Sequence, residues 1–305
     1  MSEIAFVFSG QGAQYAGMGK KLHDNFKVAK KIIDELEAVR PGTINQCFNG
    51  TDEELKDTRN TQPCVFAVSM MAAAALNEQG VTPNAVAGFS LGEMTALTYS
   101  EVFSLTDAMR LVTRRGQIMA EALQGIDSSM AAVMKLDAEK IENSASKYER
   151  VYPVNYNCPG QIVVAGEAEN LKQFCAEIKE AGGKAIALKV AGGFHSPFMN
   201  EASDIFALEL NNIKTSAPKH TVWSNLTALP YGKSSSDIAE TLRLQMKSPV
   251  LWQKTIENMI ESGINTFIEL GPGKTLKSLI EKCSDKVAVH NVEDDESLSD
   301  TIKSL

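Results

Sequence analysis

The sequence predicts an α/β fold built on a mainly parallel sheet, with a ferredoxin-like βαββαβ unit inserted in its middle. Three observations carry that expectation. Apolar runs short enough for strands alternate with longer stretches of helical spacing, joined by Gly-rich connections, on both sides of the centre. The central part instead runs strand, helix, strand, strand, helix, strand over about 60 residues. A Gly-x-Ser-x-Gly pentapeptide, Gly88-Phe89-Ser90-Leu91-Gly92, stands between an apolar run and a helical one, as a sharp strand-to-helix turn does.

Ile4-Ala5-Phe6-Val7-Phe8 is a continuous apolar run before Ser9-Gly10-Gln11-Gly12, a buried strand followed by a loop. Helical spacing recurs over 16–38 and again over 63–79, the latter rich in Ala and Met as a helix buried under a sheet would be. Ala85-Val86-Ala87 is the strand before the pentapeptide, and helices follow from 93 to about 99 and over 106–122. The central unit reads as strand 130–136, polar helix 137–149, strands 151–156 and 161–165 around Asn157-Cys158-Pro159-Gly160, helix 170–181 ended by Gly182-Gly183, and strand 184–190. The α/β alternation then resumes with a helix over 196–212, a strand at 221–223, helices over 236–247 and 252–262, and a strand at 266–270 before Gly271-Pro272-Gly273.

At 305 residues the chain can bury a large core and is expected to form more than one folded unit. No apolar run approaches the roughly 20 residues that span a bilayer, and Met1-Ser2-Glu3-Ile4 lacks the features of a signal peptide, so no membrane association is expected. The five cysteines, 47, 64, 158, 175 and 283, are scattered without a Cys-x-x-Cys pair. Neither a zinc site nor a disulfide framework follows, and a reducing cytoplasm fits. No cluster of ligand-type side chains has metal-binding spacing. The net charge of −8 argues against nucleic acid. It also means that an acidic substrate or partner would need a local basic patch acting against the overall field.

In the pentapeptide, Gly88 and Gly92 permit a close-packed turn that lifts the Ser90 hydroxyl out of the sheet, and the Leu91 N–H points to where an oxyanion would form. Such a serine needs a neighbouring base. Of four histidines, His23 lies on a polar helical face, His290 in a late apolar strand, and His220 beside Lys219 in a solvated position. His195 sits in Gly192-Gly193-Phe194-His195-Ser196-Pro197, a turn that could aim its ring. From spacing alone, base and structural histidine are equally open for it. No Asp or Glu stands out as a third, histidine-orienting group.

Eight motifs then occur in order: FSGQGAQYAGMG (8–19), TQP (61–63), GFSLGE (88–93), RRG (114–116), NCPGQIVVAG (157–166), GGFHSPFM (192–199), QMKSPVLW (245–252) and ELGPGKTL (269–276). Together they make the chain resemble the malonyl-CoA:acyl carrier protein transacylases, the stand-alone acyltransferases of bacterial fatty-acid synthesis. It is similar also to polyketide-synthase acyltransferase domains. The resemblance runs from about residue 4 to residue 280.

The resemblance implies an α/β-hydrolase-like body, 1–127 with 196–305, and a ferredoxin-like subdomain, 128–195, that positions His195. It implies that Ser90 is acylated, and that His195 is the general base and later the acid. The backbone carbonyl of Gln245 would orient His195 in place of a carboxylate, so truncating the Gln245 side chain is expected to matter little. The amides of Leu91 and Gln11 would hold the oxyanion. Arg115 would pair with the free malonyl carboxylate through two parallel charge-assisted hydrogen bonds. Arg114, about 100° round the helix, would be solvated. Asn157 and Gln161 would line the pocket or hold its loop, and Phe194 would exclude an α-methyl group, a discrimination of about 1–3 kcal/mol. Two positions depart from the family pattern: Phe89, where histidine is usual, and Ser9, where proline is usual. The expected reaction is ping-pong transfer from malonyl-CoA to acyl carrier protein, both substrates rather than cofactors, by a monomer without metal. The alternatives are a polyketide acyltransferase, an acyl-thioester hydrolase and an inactive carrier-binding module.

Overall fold

A computed structural model describes residues 3–188 and 192–305. Its nine strands are β1 Ile4–Phe8, β2 Ala85–Gly88, β3 Ser128–Met134, β4 Val151–Cys158, β5 Gln161–Glu167, β6 Lys184–Ala187, β7 Thr221–Val222, β8 Thr266–Leu270 and β9 Ala288–Val292, among the described residues. They form two sheets. The larger has the order β7-β2-β1-β8-β9, and every neighbouring pair in it is parallel. The smaller has the order β4-β5-β3-β6 and is antiparallel throughout, the arrangement of a ferredoxin-like βαββαβ unit.

β1 lies at the centre of the parallel sheet and is covered on both faces, which is why it reads as an unbroken apolar run. Phe6 and Phe8 face a core that includes Phe66 and Met71 of the helix Thr58–Glu78. Ala5 and Val7, pointing the other way by the two-residue period of a strand, pack with Trp252, Ile256 and Phe267. The antiparallel sheet has its own core, where Val133, Val151 and Val164 meet Ile141, Phe174 and Ile178 of its two helices. A short backbone bridge ties β4 to the segment that follows the helix Ser235–Gln245. Tyr156 of β4 donates to the Val250 carbonyl at 2.9 Å, and Val250 donates to Val154 at 2.9 Å. Val250 lies five residues beyond the end of the helix Ser235–Gln245, so β4 is held close to Gln245.

Several element boundaries differ from the sequence reading. The helix expected over 16–38 is two, Lys20–Asn25 and Lys27–Val39, separated by an extended Phe26. The helix expected from 63 begins at Thr58, capped by Asp57, and carries Pro63 inside it. Proline is most at home in a first turn, which biases the apparent start toward it. The helix expected over 137–149 is Ala138–Ala145, and that expected from 196 opens with a 3-10 turn, Pro197–Met199, before Asn200–Asn211. Of the strand expected over 184–190, Lys184–Ala187 is present; residues 189–190 lie outside the described residues. Helices at Thr43–Asn49, Asp52–Lys56, Thr275–Cys283 and Asp295–Ser304 have no counterpart in that reading. Among the described residues no helix is long and apolar enough to cross a membrane, and no group of three or more His, Cys, Asp or Glu is placed to hold a metal ion.

Candidate active site

β2 ends at Gly88 and the next helix starts at Leu91, leaving Phe89 and Ser90 to reverse the chain. The turn is possible only without side chains at its flanks. A Cβ on Gly88 would lie 1.9 Å from the Gly92 backbone, and one on Gly92 would lie 2.1 Å from the Phe8 carbonyl. Ser90 is forced to φ 53°, ψ −100°, a conformation uncommon for a residue with a side chain. Strain of this kind at the tip of a strand–turn–helix presents the hydroxyl to the cavity.

His195 faces it. Its Nε2 lies 2.6 Å from Ser90 Oγ, and its Nδ1 lies 2.9 Å from the backbone carbonyl of Gln245. A carbonyl can only accept, so Nδ1 carries the proton and Nε2 offers its lone pair to the hydroxyl. His195 also has a positive φ of 60°. Its loop is braced by Ser196, whose Oγ donates to the Gly193 carbonyl at 2.5 Å and accepts from the Phe198 amide at 3.3 Å. Burial, and next the Arg115 charge, lower its pKa to about 4, against the pull of the Gln245 and Ser248 carbonyls. The ring is therefore neutral at pH 7, as a base must be.

Arg115 is buried, with 1% of its surface exposed. Its Nη1 donates to Gln62 Oε1 at 2.8 Å, and its Nη2 to Gln245 Oε1 at 3.1 Å and to Ser90 Oγ at 3.3 Å. Burial lowers its pKa to about 10, which leaves it charged at neutral pH. No carboxylate among the described residues lies within ion-pair distance of it, and the acceptors that meet this buried cation are neutral. Arg114 behaves differently, pairing at the surface with Glu209 at 3.0 Å.

The Gln245 side chain is a correction to the sequence reading. Far from idle, it accepts from Arg115, and its Nε2 donates to the Ser90 carbonyl at 2.9 Å and to Glu93 Oε2 at 3.2 Å. A buried amide with three partners cannot be removed without leaving them unsatisfied. His220 is a second correction. Expected in solvent, it is half-buried, its ring 5.2 Å from that of Tyr99 and its Nδ1 without a partner.

Ser90, Leu91, Gln11, Arg115, His195 and Phe194 line one cavity of about 100 Å³. The Gln11 side chain is turned to Thr58, its Nε2 donating to Oγ1 at 3.0 Å. An adjoining cavity of about 620 Å³ is lined by Asn157 and Gln161 among others, and shares Gln11, Phe89, Asn155 and Leu188 with the smaller one. The Oδ1 atoms of Asn155 and Asn157 are buried without hydrogen-bond partners. Phe89 is held edge-on to Trp252 with ring centroids 5.6 Å apart, so a ring at this position belongs to the packing of both cavity walls. Ser9 is buried and donates to Glu269 at 3.1 Å. Four residues of the site escaped the sequence reading: Gln62, Glu93, Asn225 and Tyr231. Asn225 Oδ1 accepts from the Ser90 amide at 2.7 Å and its Nδ2 donates to the Gly88 carbonyl at 2.7 Å, clasping the turn. The available signals were Gln62 inside TQP and a lone charge, Glu93, within an otherwise apolar helix.

Residues 5–304 match the family model described as the acyl transferase domain. The malonyl CoA-acyl carrier protein transacylase of Bacillus subtilis (strain 168) is 37% identical over 311 aligned positions, covering 100% of this chain and 98% of that protein. The protein of the same name from Staphylococcus aureus (strain MRSA252) is 34% identical, with 96% of each covered. Among solved structures, the malonyl CoA-acyl carrier protein transacylase of Clostridium perfringens superposes with a TM-score of 0.95 at 39% identity, over 99% of this chain and 97% of that one. A malonyl-transacylase solved in complex with its type II PKS acyl-carrier protein superposes with a TM-score of 0.96 at 33% identity, with 100% of each chain covered.

Proposed function

Because the chain belongs to the acyl transferase family, we propose that it moves a malonyl group from malonyl-CoA to the phosphopantetheine thiol of acyl carrier protein, through an ester on Ser90, supplying malonyl carrier for fatty-acid elongation. The observation that carries this reading is the buried guanidinium of Arg115, in no direct ion pair among the described residues and 3.3 Å from the nucleophilic oxygen inside a cavity of about 100 Å³. A neutral acyl ester would leave that cation unpaired.

Ser90 Oγ attacks the thioester carbonyl while His195 Nε2 takes its proton. The negative charge on the carbonyl oxygen is received by the Leu91 and Gln11 amides. As the C–S bond breaks, the imidazolium returns the proton to the departing CoA sulfur. The carrier thiol then gives its proton to His195, attacks the ester, and leaves as malonyl thioester with the Ser90 oxygen reprotonated. Arg115 holds the free carboxylate in both half-reactions. Phe194, on the cavity wall, limits the substituent at the α-carbon. Asn157 and Gln161 line the approach taken by the pantetheine arm. Residues 1–127 and 196–305 form the catalytic body and 128–195 the subdomain carrying the opposite wall. CoA and the carrier are substrates, no cofactor is required, and the enzyme works as a cytoplasmic monomer.

A polyketide pathway would use the same chemistry, and the solved relative with a type II PKS carrier keeps that destination open. The test is incubation with malonyl-, methylmalonyl- and acetyl-CoA, followed by intact mass and peptide mapping. A malonyl adduct on the Ser90 peptide, discharged by holo acyl carrier protein, is expected. Steady release of free malonate without the carrier would instead indicate a hydrolase.

A further inference from the structure

We propose that Glu93 is a positioning residue whose buried carboxylate fixes Asn225 and Gln245, and through them the nucleophile, the base and the guanidinium. The inference rests on the transacylase reading of the Ser90–His195 site. Glu93 is the third residue of the helix that follows Ser90 and is fully buried. Its hydrogen-bond partners are all donors. The Asn225 backbone N–H reaches Oε2 at 3.0 Å, Gln245 Nε2 reaches the same oxygen at 3.2 Å, and the Tyr231 hydroxyl bonds Oε1.

Two of these partners, Asn225 and Gln245, contact the residues of the site. Asn225 grips the turn on both sides of Phe89, accepting from the Ser90 amide and donating to the Gly88 carbonyl. Gln245 contacts Ser90 through Nε2, Arg115 through Oε1 and His195 through its backbone carbonyl. The two ends of a Gln amide have nearly the same shape, so shape alone does not set which faces Arg115. A carboxylate accepting from Nε2 sets it, turning the oxygen toward the guanidinium. A flipped amide would aim its NH2 at a cation. A buried acid is costly to keep. Three donors offset part of that cost, and Gln245 joins it to the Arg115 guanidinium.

The experiment compares wild type with Glu93→Ala, Glu93→Gln and Glu93→Asp. It measures single-turnover loading of Ser90 from malonyl-CoA by quenched intact mass, normalised to folded protein by circular dichroism. Misplacement of the reacting groups is expected to slow Glu93→Ala about a hundredfold. Glu93→Gln keeps an acceptor for Asn225 and Gln245, with the Tyr231 hydroxyl reversed to accept, and is expected within about tenfold of wild type. In a Gln245→Ala background, adding Glu93→Ala should cost clearly less than its hundredfold in wild type, since only the route through Asn225 is left to lose. Should Glu93→Ala not fold, the order of the other two decides: Asp, one methylene short, must load more slowly than Gln. Wild-type loading by Glu93→Ala per folded molecule, losses that multiply with Gln245→Ala, or Asp faster than Gln would each overturn the proposal. A wild type that forms no malonyl-Ser90 would overturn the transacylase reading itself, and this inference with it.

Discussion

Ser90 and His195 meet at 2.6 Å because both hold backbone conformations that side chains ordinarily avoid, φ 53° and φ 60°. The consequence for catalysis lies in protonation. With the imidazole pKa lowered to about 4, the base is available through mildly acidic conditions. Protonation of His195 itself should therefore limit loading only well below neutral pH, its acid limb lying near pH 4. Arg115 is the second cause of that lowering, so Arg115→Gln should move the acid limb upward; an unmoved limb in a pH–rate profile would count against the coupling. Gln245→Ala removes a hydrogen bond from a buried cation and another to the Ser90 carbonyl. Such a bond is worth about 1.5–3 kcal/mol, so malonyl loading should drop roughly 10–100-fold, measurable by stopped-quench mass spectrometry. Ser90, His195 and the Gln245 carbonyl were legible because each sits in a short local motif. The Gln245 side chain, Glu93, Asn225 and Tyr231 were not, since a buried polar cluster assembled from distant segments leaves no periodicity in the chain.

At the scale of elements, the turn after β2 is the most constrained piece of backbone. Gly88→Ala would drive a methyl into the Gly92 backbone at 1.9 Å, and backbone cannot swing aside as a side-chain tip does. The variant should lose roughly 1–3 kcal/mol of stability or more, seen as a lower melting temperature, and should lose loading in whatever fraction folds. A variant that melts and loads like wild type would refute the turn as described. This turn was readable because glycine and serine advertise it locally. The helix Thr275–Cys283 was not, because its first turn is held by Glu269 of β8, whose Oε2 accepts from the Lys277 amide at 2.8 Å. The helix Thr58–Glu78 was misplaced at its start because Pro63, a first-turn residue by habit, lies inside it.

For the whole molecule, the alternation of strands and helices made the parallel sheet legible. The central change of order made the antiparallel one legible too. The bridge between Tyr156 and Val250, which ties β4 to the segment beyond Gln245, was not, being a contact between segments nearly a hundred residues apart. Global stability carries a mark of the buried acids. Burial raises the Glu269 pKa from 4.5 to about 7, so in the folded chain it holds a proton that the unfolded chain has already released. Wild type therefore loses stability through this group as pH rises from about 4.5 to about 7. Glu269→Gln lacks that dependence, and its stability relative to wild type should improve across the same window by on the order of 2 kcal/mol. Urea melts at the two ends of the window measure it, and parallel curves would contradict it.

The proposed function turns on an ester formed beside a cation that recognises the acyl group's own carboxylate. The most direct measurement is the pair of second-order rate constants for loading malonyl and acetyl groups onto Ser90, in wild type and in Arg115→Ala. Losing a buried bidentate partner is expected to lower the malonyl-to-acetyl ratio by about a hundredfold or more, with acetyl loading held or raised. An equal fall for both acyl groups, leaving the ratio where it was, would contradict it.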